Sequence, residues 1–178
     1  MKILICGFMG AGKSFWLLDL KKQSGASGFL FLDLDQEIAQ ALHLSPSQLG
    51  EWISAQGWES FRKLEQEKIH EFLSHETSGV LCLGGGALVP DLLVKIKQNP
   101  SIKLVFLDTP FEVCHERIIG DSNRPLSSIK KEELRELYLQ RLASYRQADL
   151  ILDERERKEI EGINSLVHTL GGPKKLER

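Results

Sequence analysis

Gly7-Phe8-Met9-Gly10-Ala11-Gly12-Lys13-Ser14 matches the pattern G-x-x-x-x-G-K-[ST] without a departure, directly after the apolar run Lys2–Cys6 and at the start of a segment of helical period. That is the setting in which the motif works as a phosphate cradle. Its glycines let the backbone curl so that several N–H groups face inward, and the positive end of the following helix adds to the anion site. Gly10, Ala11, Gly12, Lys13, Ser14 and Phe15 form the expected ATP-binding stretch. Lys13 is expected to reach the β- and γ-phosphates and the Ser14 hydroxyl to be a Mg²⁺ ligand. The side chains of Phe15 and Trp16 are bulky for such a helix and are expected to face the core. The competing reading is a glycine-rich strand–helix turn that binds nothing, which the complete match in its proper context disfavours.

Short apolar runs alternate with longer helical segments along the rest of the chain, as expected when helices cover both faces of a buried parallel sheet. The strands are expected at Lys2–Cys6, Phe29–Asp33, Val80–Leu83, Ile102–Leu107 and Asp149–Asp153. Helices are expected from Lys13, Asp35, Pro46, Glu59, Asp91, Pro110, Lys131 and Lys158. Ser45-Pro46-Ser47-Gln48 offers a capping hydroxyl, a first-position proline and a reciprocal glutamine, and Thr109-Pro110 repeats the first two features. With 178 residues the chain suits one α/β domain, 1–178, and is short for two separate cores. The stretch 119–129 is polar and punctuated, and is expected to be a mobile lid or a plain surface connector. Residues 171–178 are expected to be a flexible tail.

A net charge of −2 gives no general attraction for nucleic acid, so an anionic ligand needs locally placed cations and amides. Cys6, Cys82 and Cys114 are scattered and odd in number, which fits core thiols in a reducing compartment. No secretory leader is legible at the N-terminus and no apolar run approaches the ~20 residues that span a bilayer. The expectation is a cytoplasmic protein with no membrane partner.

The acceptor side is expected where the other strands end. Asp33 and Asp35 close the second strand, and strand alternation would point both the same way, one toward Mg²⁺ and its waters, the other toward an attacking hydroxyl. The alternative is an aspartate helix cap. Arg62 and Glu65 are three apart and share a helical face, as a surface salt bridge or as a carboxylate orienting a guanidinium for a substrate carboxylate. Gly84-Gly85-Gly86 permits close backbone approach. Arg117, Arg124 and Arg141 are each ordinary solvated cations taken singly, but together fit a lid whose closure brings positive charge to a moving phosphoryl group and excludes water.

In this order the motifs resemble shikimate kinases over nearly the whole chain: the P-loop Gly7–Ser14, D-x-D at Asp33 and Asp35, F-R-x-x-E at Phe61–Glu65, Gly84–Gly86, R-P-L at Arg124–Leu126 and R-x-x-x-Y at Arg141–Tyr145. The resemblance implies a three-layer P-loop kinase fold with a five-stranded parallel sheet, an acceptor-binding region over about 33–65 and a lid over about 119–129. It implies Asp35 as base on the ring hydroxyls, Asp33 in the Mg²⁺ environment, Arg62, Arg141 and Gly84–Gly86 around shikimate, and Lys13 and Arg124 at the phosphates. It further implies Arg117 against adenine with Asp153–Arg157 opposite, where Arg155 is the expected contact. ATP and shikimate would be the partners of a monomer. The family usually has an acidic residue where Trp58 stands, a leucine at Ser127, and a proline-containing lead to tyrosine in place of Leu142-Ala143-Ser144. A related small-molecule kinase such as a gluconate kinase, or a non-catalytic nucleotide-binding domain, is the alternative.

Overall fold

The computed structural model describes residues 1–119 and 130–171. Arg124, Ser127 and nearly all of the expected lid lie outside the described residues, as does the expected tail beyond Gly171.

The run Lys2–Cys6 forms β1, buried along its whole length, as a strand between two others must be. It pairs in parallel with β3 (Gly79–Cys82) on one side and β4 (Ile102–Leu107) on the other. β2 (Leu30–Asp33) lies outside β3, and β5 (Leu150–Leu152) outside β4. The order is therefore β2-β3-β1-β4-β5. Ile5 pairs with Cys82, and Cys82 with Asp33, so β1, β2 and β3 end level with one another. The phosphate loop, Asp33 and the glycine triplet consequently leave the sheet along one edge.

The helices are α1 (Lys13–Ser24), α2 (Leu34–Ala41), α3 (Leu49–Ser74), α4 (Pro90–Gln98), α5 (Phe111–Ile118), α6 (Lys131–Tyr145), α7 (Glu154–Lys158) and α8 (Gly162–Gly171). α1 buries Trp16, Leu17 and Leu20 and packs against α8, whose Ile163 N–H donates to Ser24 Oγ at 2.9 Å. Ser45–Gln48 caps as its sequence implies, with the Ser45 N–H donating to Gln48 Oε1 at 2.9 Å. What it opens is a 3-10 turn, Pro46–Gln48, leading into α3. The helices expected from Pro46 and Glu59 are joined in α3, which Gly57 breaks at φ 85°, ψ 158°, a conformation open essentially to glycine alone. The single helix expected from Lys158 is two, α7 and α8, and the described part of α8 reaches Gly171.

Two local expectations are corrected. Thr109 does not cap α5; its hydroxyl is buried and donates to Ala11 O at 3.2 Å, fastening the end of β4 to the phosphate loop. Trp16 faces the core as expected, but Phe15 is 76% exposed. One contiguous apolar cluster, built around Ile3, Leu4, Ile5, Leu81, Leu104 and Phe106, fills the space between sheet and helices. Cys6, Cys82 and Cys114 are free buried thiols within it, and burial pushes the first up to about 12 and the last to about 11. Among the described residues no helix is long and apolar enough to cross a membrane.

Candidate active site

At the C-terminal edge of the sheet a cavity of about 610 Å³ runs from the phosphate loop to the glycine triplet. Its size suits small-molecule ligands. At the first end Gly7, Gly10 and Gly12 adopt φ of 149°, 80° and 86°, values that turn successive amides inward without steric cost. Lys13 folds over the loop and donates from Nζ to Gly7 O at 2.9 Å and Phe8 O at 3.1 Å. Burial lowers its pKa, while Asp35 and Asp33 nearby favour the charged form.

Two guanidiniums border the loop. Arg117 donates from Nη1 to Gly10 O at 3.2 Å and Arg157 from Nη1 to Ala11 O at 2.9 Å. A Cβ on Gly12 would meet both, at 3.7 and 3.3 Å. Burial, with Arg117 adding repulsion, holds the Arg157 pKa below its usual value. Arg155, the expected contact, has a side chain that is 88% exposed and faces Glu159 at 3.6 Å, and neither it nor Arg157 is part of the cavity lining. The signal that separates the two arginines is Asp153-x-x-Glu156, a capping box in which Glu156 N–H donates to Asp153 Oδ1 at 2.8 Å. It fixes the phase of α7 and thereby which arginine turns to the loop.

At the other end the strand alternation expected for Asp33 and Asp35 does not hold, because α2 begins between them at Leu34. Asp33 is the helix cap: its Oδ1 accepts from Asp35 N–H at 3.1 Å and Gln36 N–H at 3.4 Å. Both aspartates nevertheless line the cavity. Arg62 projects from α3 and Arg141 from α6, and they meet over the glycine triplet. A Cβ on Gly86 would collide with the Arg62 guanidinium and lie 2.9 Å from Arg141 Nη2. One on Gly84 would lie 2.6 Å from Glu65 Oε1 and 3.3 Å from Asp35 Oδ1. The triplet is thus the bare floor on which two cations and two carboxylates converge.

The Arg62–Glu65 pair is not a surface bridge, since Glu65 is 1% exposed. Its Oε2 accepts from Arg62 Nη1, and its Oε1 has no hydrogen-bond partner among the described residues. Burial outweighs the Arg62 attraction and pushes the Glu65 carboxyl up to about 7. Burial, with Arg62 adding repulsion, holds the Arg141 pKa below its usual value, while the neighbouring Tyr145 opposes the shift. Tyr145 also donates to Gly85 O, so residues one turn apart on α6 clamp the triplet and the arginine together. Thr109 and this Tyr145 contact are the site features that the sequence reading missed, while Arg157 falls within the expected Asp153–Arg157 wall without being singled out there.

A parallel sheet of this order, with a phosphate cradle after its central strand and a polar acceptor pocket beside it, defines a P-loop kinase fold. Residues 9–171 match the shikimate kinase family. A shikimate kinase of Persephonella marina is 32% identical over 93% of this chain and 96% of its own length. The Aquifex aeolicus shikimate kinase structure superposes with a TM-score of 0.74 at 31% identity, covering 97% of this chain and all 100% of the other. That of Acinetobacter baumannii in complex with shikimate gives 0.79 at 28% identity, over 96% and 94% of the two chains. The chain belongs to the shikimate kinase family, and as such is an ATP-dependent phosphotransferase.

Proposed function

We propose that the cavity transfers the γ-phosphate of ATP to the 3-hydroxyl of shikimate, giving shikimate 3-phosphate and ADP. The observation that carries this reading is the meeting of Arg62 and Arg141 over Gly86, with Asp35 between them and the phosphate cradle. Two planar guanidiniums suit a ring carboxylate. With that carboxylate held, Asp35 accepts the hydrogen bond, and then the proton, of the attacking hydroxyl. Lys13 leaves its two carbonyl partners for the β- and γ-phosphates and offsets the charge that spreads over the moving group. Arg117 and Arg157 flank the nucleotide end.

The donors at this edge fit Mg²⁺. Among the described residues no three His, Cys, Asp or Glu side chains are clustered to cage a metal. Mg²⁺ bound to a nucleotide takes only one or two protein oxygens and keeps its waters. The Ser14 hydroxyl and, through water, Asp33 would hold it. When bound it neutralises charge on the β- and γ-phosphates. Three buried free thiols support the reducing cytoplasm as its compartment, and a site built within one chain supports a monomer as the working unit.

The test is ADP formation from ATP and Mg²⁺ with shikimate, gluconate or a nucleoside monophosphate as acceptor. Shikimate alone is expected to raise turnover above background. Faster turnover with gluconate, or ATP hydrolysis indifferent to every acceptor, would overturn the reading.

A further inference from the structure

Ala11 O accepts two side-chain hydrogen bonds, one from the Thr109 hydroxyl at 3.2 Å and one from Arg157 Nη1 at 2.9 Å. Neither donor belongs to the cavity lining and Ala11 itself is buried, whereas Gly12, the next residue, is part of that lining. Both bonds therefore draw the carbonyl to the back of the phosphate loop. The Ala11–Gly12 peptide is trans and planar, so its C=O and N–H point in opposite directions. A carbonyl held at the back turns the Gly12 N–H to the front. Gly12 is the N-cap of α1, at φ 86° and ψ 19°, where N–H groups have no intrahelical acceptor and are open to an anion.

The two donors differ in how firmly they are placed. Arg157 reaches the carbonyl along a flexible side chain from α7, a helix of five residues. Thr109 reaches it over a single Cβ–Oγ bond just past the end of β4, and its own peptide groups are fixed on three sides. Its N–H donates to Leu107 O at 3.1 Å. Its carbonyl accepts from the Tyr138 hydroxyl of α6 at 3.3 Å and from Cys114 Sγ of α5 at 3.6 Å. Pro110 then favours an extended backbone at Thr109. α5 does not use the hydroxyl as a cap; the loop carbonyl receives it instead.

We infer that Thr109 is a positioning residue for the nucleotide: its hydroxyl holds the Ala11–Gly12 peptide so that the Gly12 N–H is aimed at a phosphate before the ligand arrives. A donor set in advance spares the ligand the cost of ordering the loop. This rests on the proposed reading of the loop as the ATP site. It places the effect at the phosphates, away from the nucleoside and the acceptor.

Calorimetric titration of Thr109→Val, Thr109→Ala and Thr109→Ser with ADP and with inorganic tripolyphosphate, both with Mg²⁺, tests it alongside steady-state rates. Thr109→Val keeps the shape of the side chain and removes the hydroxyl. It is expected to weaken ADP and tripolyphosphate alike, about three- to tenfold, the range of one hydrogen bond, while the KM for shikimate stays within about twofold. The KM for ATP rises in parallel with the loss of ADP affinity. Thr109→Ser, which restores the donor, recovers most of the affinity for both ligands. A hydroxyl that merely stabilises the fold would lower the thermal midpoint of Thr109→Val and leave both affinities unchanged, and that result overturns the inference. So does a loss confined to ADP, or an equal rise in the KM for shikimate. Should Thr109→Val not fold, equal tripolyphosphate affinities for Thr109→Ala and Thr109→Ser overturn it. A wild type that binds tripolyphosphate no better than Thr109→Val sinks this inference alone; a wild type that binds neither ADP nor tripolyphosphate sinks the proposed function as well.

Discussion

Glu65 is held in a site that favours its neutral form, even with Arg62 beside it, because removing a carboxylate from water costs more than one incomplete ion pair returns. Its folded pKa of about 7 stands above the ordinary 4.5. Between those values the folded chain binds the extra proton, so stability falls as pH rises through this window, by at most roughly 3 kcal/mol. The thermal midpoint of the apo protein is expected to drop between pH 5 and pH 8, and Glu65→Gln to flatten that slope; a Glu65→Gln profile parallel to the wild type would contradict it. Two glycines separate site from fold at the same scale. A methyl on Gly86 collides with the two acceptor guanidiniums, whereas one on Gly79 lies 2.9 Å from the Phe72 ring and 3.1 Å from the Leu30 backbone. Gly86→Ala is expected to raise the shikimate KM at least tenfold with little change in stability. Gly79→Ala should lower stability by about 1–3 kcal/mol and leave KM alone. Denaturant melts and initial rates on the two variants read both effects.

The junction of β2 and α2 shows what element-level patterning reveals and what it hides. The apolar run that ends at Asp33 marks β2 to within a residue, and the P-loop placed α1 at Lys13. Periodicity does not say where strand gives way to helix, so it puts Asp33 and Asp35 on a common strand face that the start of α2 at Leu34 abolishes. The same blindness applies to Phe15 and Trp16, where a bulky pair at a helix start gives no sign of which ring is turned out. Arg155 and Arg157 alternate in a five-residue helix whose phase is set by its cap. Asp33 caps α2, and the role in the Mg²⁺ environment proposed for it can be separated from the cap by substitution. Asparagine caps as well as aspartate, and alanine does not. Asp33→Asn is therefore expected to keep stability within about 0.5 kcal/mol and Asp33→Ala to lose about 1 kcal/mol, while both lose most of kcat and require more Mg²⁺ for half-maximal rate. Full activity in Asp33→Asn would leave the residue with the cap alone.

Among the described residues one apolar core carries the site cavity, and the two ends of that cavity belong to different elements. The proposed nucleotide end is lined by the phosphate loop and α5, with Arg157 of α7 bonded to that loop from outside the lining, and the proposed acceptor end by α2, α3, α6 and the glycine triplet. Because the apolar cluster runs without interruption between them, the chain is expected to melt in one calorimetric transition as a single domain. Each ligand should raise that transition by mass action. At a concentration of 100 Kd the gain is about 2.7 kcal/mol, or roughly 5–10 °C for a chain of this size. Arg62→Ala removes a guanidinium from the acceptor end only, so it should abolish the shift produced by shikimate and retain that produced by ADP. Arg157→Ala should do the reverse, and Arg155→Ala neither, since its side chain is turned away to solvent. Differential scanning calorimetry of the three variants with each ligand measures all of this in one experiment. Equal loss of both shifts in Arg62→Ala would mean that the cavity does not divide as its lining indicates, and two resolved transitions would mean that the core is not one cooperative unit.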